Sequence, residues 1–449
     1  MTEPTADQPR PSLSLFDAVA MIVGLVIGIG IFTFPALVAA NAASASDLLL
    51  LWLAGGAISL IGALCYAELA TAYPSAGGEY HFLYRAFGRE VAFLFAWARL
   101  GVIQTGAIAL VCFILGDYAT RLYDLGAHSS AIYAGGTVIA LTIANLLGAQ
   151  PGKNLQNVLS CGIVGLLAVA IILGLINGVS GTVTPAAPAA ATTTVTTAPG
   201  VAMIFILLTY GGWNEAAYLS AEVKDASRNM VRVLIFSLLL ITAIYVLVNV
   251  AYLHVLGLDG MRGGSTTIGA ELMNREFGTA GATLLSIAVI FAALSTANAT
   301  IFTGARTSFA LGRDFAPLAC LGQWSAKGAP ATALIVQGVI ALVLVIAGAV
   351  TLDGVRAMVN YVTPVFWFFM LLVALSLFVL RVHDGNTPRP FRVPLYPVTP
   401  FIFVLTCTYM LHSGIDFARS TFAGILSLAG LLIVLAGVPL LLWARPKES

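Results

Sequence analysis

Residues 28–35 read Gly28-Ile29-Gly30-Ile31-Phe32-Thr33-Phe34-Pro35 and lie deep in the first long apolar run of the chain. Glycine is a poor helix former, and two glycines one residue apart weaken a helix where lipid would otherwise force it to be continuous. Read as a break, the stretch frees backbone amides and carbonyls at membrane depth, where they are tolerated only if they line a protein cavity and meet something polar. Read as an unbroken helix, the same glycines are a small-residue packing face of the kind that membrane helix pairs use.

Composition sets the frame around this stretch. Of 449 residues, 59% are hydrophobic and only 9% are charged, with a mean hydropathy of +0.96; soluble globular chains are about a quarter charged. The chain therefore reads as an all-α, polytopic membrane protein embedded in the lipid bilayer. A net charge of +1 offers no polyanion-binding surface, so nucleic acid is not an expected partner. Cys65, Cys112, Cys161, Cys320 and Cys407 have neither a disulfide framework nor metal-ligand spacing. The histidines, His81, His128, His254, His383 and His412, sit near the ends of apolar runs without a shared motif, which argues against an embedded enzyme and for a chain without a cofactor. The first fifteen residues lack the order of a cleaved signal peptide.

A helix needs roughly 20 residues to cross the hydrocarbon core. Runs of that order recur at 16–40, 47–71, 91–120, 131–148, 156–178, 200–221, 232–257, 279–305, 331–350, 355–381, 398–415 and 420–443. With the N-terminus in the cytoplasm, only Arg121, Arg262, Arg275, Arg356 and Arg419 of the 21 Lys and Arg fall outside and Arg99 lies within the bilayer, leaving fifteen inside. That asymmetry puts both termini in the cytoplasm and requires an even number of spans.

Residues 179–199 are rich in Thr, Ala and Pro and uncharged, and read as an external loop joining two halves. The second half repeats the first: span six carries Tyr210-Gly211-Gly212-Trp213-Asn214, an interruption that answers the glycines of span one. Five spans per unit is odd, so the second unit is inverted. The expected architecture is a tail (1–15), a first five-helix repeat (16–178), the loop (179–199), an inverted repeat (200–381), a cytoplasmic loop (382–397), two further helices (398–443) and a short tail (444–449). Two inverted repeats, each opening with an interrupted helix, are the pattern of a secondary transporter with its site at the midplane. A channel would instead need a continuous polar lining or a ring of filter residues, and the polar residues here cluster at two breaks.

Four stretches carry a resemblance: Gly28 to Phe32; Tyr66-Ala67-Glu68-Leu69 running into Tyr73-Pro74-Ser75-Ala76-Gly77-Gly78-Glu79-Tyr80; Tyr210-Gly211-Gly212-Trp213-Asn214 through Glu222-Val223-Lys224; and Arg389-Pro390-Phe391-Arg392-Val393-Pro394. Together they resemble the amino acid-polyamine-organocation superfamily of permeases, most closely the L-type amino acid transporter group and its bacterial relatives. The resemblance implies an amino acid substrate and alternating access.

The breaks themselves suggest how such a substrate is held. Span one enters from the cytoplasm, so Gly28, Ile29, Gly30, Ile31 and Phe32 present amides at the positive end of its outer half, with those of Gly30, Ile31 and Phe32 expected to be unpaired and suited to a carboxylate. Span six runs the other way, so Ile206, Leu207 and Leu208 end a half-helix with free carbonyls suited to an ammonium. Ile27 and the Tyr210-Gly211-Gly212 turn complete the expected site. The family's gating aromatic aligns with Leu208, which leaves closure to Tyr210 or Trp213. Its frequent serine between the span-one glycines is Ile29 here, consistent with small or neutral L-amino acids. A cationic amino acid or polyamine carrier, using Glu215, is the alternative.

The intramembrane polar residues have two readings each. Arg99, with Gln104 beyond it, belongs either to an inner gate or to a Glu-paired structural arginine. Glu68 and Glu222 are expected to pair with basic residues of the inside loops such as Arg85 or Arg228, and Asp117 to be interfacial. Ile163 aligns with the family's span-five lysine, whose ammonium stands in for a sodium ion. Its loss leaves either apolar packing or a Na+ site from Gly24, Ile27, Ser295 and Thr296; Glu215 is the candidate for proton coupling. The loop after span three has no cysteine, so the disulfide-linked subunit of animal relatives is not expected. Asn298-Ala299-Thr300 falls within a span, out of reach of glycosylation. A bacterial inner membrane is the expected location.

Overall fold

The computed structural model describes residues 15–75, 77–148, 165, 167–169, 171–172, 176, 198–215, 226–324, 330–419 and 424–443. Among these there is no strand. The first long apolar run is divided: α1 (Leu15–Val26) stops, a 3-10 turn covers Ile29–Phe32, and α2 (Phe34–Ala39) resumes with Pro35 in its first turn, where proline's missing N–H costs nothing. α3 (Ala45–Ala72) starts on a reciprocal cap, Ser44 Oγ accepting from the Asp47 amide (3.1 Å) and the Asp47 carboxylate from the Ala43 amide (2.8 Å). The short α4 (Gly78–Phe87) follows, a helix that the span pattern did not predict.

α5 (Arg89–Ala98) runs through a π turn (Arg99–Ile103) into α6 (Gln104–Leu122), and α7 (Ser129–Leu146) returns. After the loop come α8 (Pro199–Thr209), α9 (Ala226–Arg262) and α10 (Ile268–Asp314). The last two are kinked at Gly257 (φ 69°) and Gly278 (φ 64°), left-handed conformations that glycine adopts without steric cost. The kink at Gly278 sets apart a short helix, Ile268 to Phe277, ahead of predicted span eight. α11 (Ala331–Val350), α12 (Gly354–His383), α13 (Val398–Arg419) and α14 (Gly424–Trp443) complete the fold.

Eight of these helical segments are long and apolar enough to cross a membrane, and α8 and part of α14 are shorter apolar helices. α6 packs against α7 and α10, and α9 against α3 and α1, so the interrupted first run is held between neighbours. Predicted span five lies almost wholly outside the described residues, as does Ile163.

Candidate substrate site at two helix breaks

The first break is sharp. Gly28 is extended (φ −111°, ψ −157°), and its amide donates to Val26 O at 2.8 Å. The i to i+3 pattern of the following turn engages the amides of Ile31 and Phe32 internally and leaves those of Ile29 and Gly30; among the described residues neither donates to a backbone group outside the turn. The free donors are thus set one residue earlier than the trio Gly30, Ile31 and Phe32 read from sequence. They form a two-amide edge at the start of the outer segment.

The carbonyls released by the same break are bound by tyrosines. Tyr252 donates to Ile31 O (3.3 Å) and Tyr118 to Phe32 O (2.7 Å). The Tyr245 hydroxyl lies 2.8 Å from Val26 O and 3.1 Å from Thr209 O, so one proton is shared between a carbonyl of each break. All three side chains are buried, and each comes from a helix far away in sequence.

At the second break α8 ends at Thr209, Gly212 takes φ 111°, and a 3-10 turn covers Trp213–Glu215. Tyr210 N–H donates to Ile206 O (2.9 Å) and Gly211 N–H to Leu208 O (3.2 Å). Both nitrogens that could reach Leu207 O are thereby used elsewhere, and this carbonyl takes no other bond among the described residues. The two breaks touch: a methyl group on Gly30 would lie 3.2 Å from the Phe34 ring and 3.3 Å from the Thr209 methyl.

The aromatic residue beside the junction is Phe34, stacked toward Phe205 (centroids 5.7 Å), which the sequence reading did not single out. Tyr210 instead turns toward α3, donating to Trp52 O (3.1 Å) and packing on Tyr245 (5.0 Å). Trp213 packs between Tyr66 (5.1 Å) and Phe403 (6.3 Å). Neither of the two expected closures is free to act as a lid in this form, because each ring is committed to a neighbouring helix. Leu208 is half-buried, and the Glu215 side chain lies outside the described residues.

One turn beyond the second break is a buried polar cluster. Glu79 accepts from Tyr66 Oη (2.8 Å) and Asn214 Nδ2 (3.1 Å), and its other oxygen is 3.8 Å from Arg99. Glu79, Asn214, Arg99 and Gln104 line a small cavity of about 60 Å3. Gln104 also donates to Thr300 O of α10 (2.8 Å), and Tyr361 caps the π turn at Gly101 O (2.7 Å). Arg99 is therefore Glu-paired, at a place where α4, α5 and the span-six turn meet.

Glu68 does pair with basic residues of the inside segments, but not with Arg85: it binds Arg381 through two bonds (2.7 and 2.5 Å), lies 3.5 Å from Arg389 and accepts from Val393 N–H (2.6 Å), because the loop after α12 folds back over the end of α3. The Arg228 side chain lies outside the described residues. Arg85 pairs with Asp384 (3.0 Å). Asp117, in the last turns of α6, is half-buried and accepts from Ser130 (2.6 Å) and Thr266 (2.5 Å). Glu222 and Cys161 lie outside the described residues. Asn298 is buried and accepts from Asn145 (2.8 Å).

Of the four candidate Na+ ligands, two, Gly24 and Thr296, are exposed in this form, Ser295 is half-buried and Ile27 is buried, and a methyl group on Gly24 would have no neighbour within 4 Å.

Long apolar helices, two of them interrupted where they adjoin, define a multi-pass membrane protein with polar backbone at its centre. A family model described as amino acid permease matches residues 13–435. Over 420 residues the chain is 30% identical to the b(0,+)-type amino acid transporter 1 of Mus musculus, covering 92% of this chain and 84% of that one. It is 28% identical over 446 residues to a serine/threonine exchanger of Bacillus subtilis, covering 98% of each, and 28% identical over 443 residues to the human large neutral amino acids transporter small subunit 2, covering 96% and 79%. The chain belongs to the amino acid permease family of the amino acid-polyamine-organocation superfamily. It is a transporter and not an enzyme.

Proposed function

We propose that the protein is a secondary carrier of small or neutral L-amino acids, working by alternating access around the junction of the two breaks. The substrate carboxylate binds the free amides of Ile29 and Gly30, and the ammonium binds Leu207 O at the end of α8. The observation that carries this is the shared Tyr245 proton, which fixes a carbonyl from each break at one point and so brings a donor edge and an acceptor edge together. An α-amino acid presents its two charges a bond or two apart, and opposed half-helix ends complement both without a formal protein charge.

The same reading takes the chain as twelve spans, five plus five inverted and two more, with both termini in the cytoplasm of a bacterial cell. A relative named as an exchanger favours exchange over sodium-driven uptake. No disulfide-linked subunit is invoked, since residues 123–128 contain no cysteine.

The test is uptake of radiolabelled amino acids into liposomes holding the purified protein, empty or preloaded with the unlabelled compound, with and without an inward Na+ gradient. Exchange predicts uptake into preloaded vesicles only, regardless of Na+. Sodium-dependent uptake into empty vesicles overturns the exchange assignment, and no uptake of any neutral amino acid overturns the substrate class. Gly30→Val puts two methyl groups into the 3.2–3.3 Å space beside Phe34 and Thr209 and is expected to weaken binding by about tenfold or more in a folded protein. Unchanged affinity would remove Gly30 from the site.

A further inference from the structure

A second cavity, of about 300 Å3, lies between α2, the end of α6, the start of α7, the loop before α10 and the turn into α12, and no residue of either break lines it. This is the lower end of the size range of small-molecule sites, and nothing in the transport reading uses it. Asp117 lines it from the last turns of α6. One carboxylate oxygen accepts from Ser130 on α7 and the other from Thr266 in the loop, so hydroxyls from two other segments fix the group without neutralising it. A carboxylate has about four acceptor positions, and these two bonds leave capacity for another donor.

The remaining charges do not balance it. Asp353 and Arg356, on the opposite wall, pair with each other at 3.3 Å and cancel. Arg121, one turn beyond Asp117, is directed to the Thr267 hydroxyl (3.4 Å) and does not line the cavity. His128 is the other titratable group of the lining. A desolvated carboxylate facing a ligand-sized space favours a cation, and the walls contributed by Leu37, Phe113 and Leu352 suit an alkyl group better than a hydrated metal ion.

We propose that this cavity is a second ligand site, selective for the ammonium group of a small amine or amino acid, with Asp117 as the counter-ion. It is separate from the junction of the breaks, and its existence does not depend on how that junction works.

An environment-sensitive thiol probe on Ala127→Cys, an exposed position of the lining, reports its occupancy in a Cys320→Ser background, with the chain lacking Ala127→Cys as the labelling control. The ligands are a panel of L-amino acids, methylamine and propylamine, and the matching N-acetyl amino acids, which carry no ammonium. Amines and at least some amino acids are expected to give a saturable signal, and the N-acetyl compounds none. Asp117→Asn keeps an acceptor for one hydroxyl, offers an N–H to the oxygen of the other, and is expected to weaken the response by about tenfold or more. Ala131→Phe, which keeps the carboxylate but fills the cavity, is expected to abolish it; melting curves identify any variant that has not folded. Gly30→Val should leave the response intact, which separates this site from the one at the breaks. A flat signal for every ligand, equal responses to N-acetyl compounds, or an unchanged midpoint in folded Asp117→Asn would overturn the proposal.

Discussion

The junction of the two breaks rests on one hydroxyl. Tyr245 is fully buried and serves Val26 O and Thr209 O together; Tyr245→Phe leaves Thr209 O in an apolar setting without this donor and Val26 O with the Gly28 amide alone. An orphaned buried acceptor costs about 1–3 kcal/mol, so a measurable drop in unfolding temperature is expected, together with weaker substrate binding by protein that remains folded. If stability falls and the affinity of the folded fraction does not, the tyrosine braces the fold without positioning the site. The glycines that break the helices were legible in sequence because glycine's effect is local. The tyrosines were not, since Tyr245 lies 219 residues from Val26 and nothing near either residue announces the pairing. The exact amides were equally out of reach: whether Ile31 and Phe32 are free depends on the break resuming as a 3-10 turn, and apolar periodicity does not encode that choice.

Among the helices, glycine, length and apolarity located most of the described long spans to within a few residues, though α9 begins six residues before its expected bound and α10 ends nine beyond, and failures came where an element is tied down from far away. The short α4 carries Glu79 beneath the second break, yet it has too few apolar residues to register as a span. Glu68 shows the same limit, because its partners Arg381 and Arg389 follow it by more than 300 residues. Its side chain is only 2% exposed, and it joins the end of α3 to α12 and to the loop that follows. Removing one member of such a buried pair strands the others, at a cost of about 3–5 kcal/mol. Glu68→Gln should therefore lower the thermal stability of the purified protein markedly, whereas Asp384→Asn, which weakens the exposed Arg85 contact, should shift it little, as exposed pairs contribute about 0–1 kcal/mol. Similar losses in both variants would mean that Glu68 is not the anchor of this end of the molecule.

At the scale of the whole molecule, alternating access requires that closures on the two sides of the junction are not released together. One closure is the bond from Tyr118 on α6 to Phe32 O; the other is the Glu79 cluster with Asn214 and Arg99. Both are made in this structure. Each is held by interactions whose loss is worth on the order of 1 kcal/mol, enough to move a two-state population about fivefold. Two buried reporters read the two sides. Thr33→Cys, whose native hydroxyl is fully buried and has no hydrogen-bond partner among the described residues, lies next to the Phe32 closure, and Gln104→Cys lines the cavity at Glu79. Glu79→Gln, which removes the charge facing Arg99, should raise the rate at which Gln104→Cys reacts with a membrane-impermeant thiol reagent from the cytoplasmic side and lower that of Thr33→Cys from the outside. Tyr118→Phe should do the reverse. Opposite signs in the two variants are what a molecule that rocks around a fixed junction must give; acceleration on both sides in either variant would mean that the closures open independently, as they would in a channel.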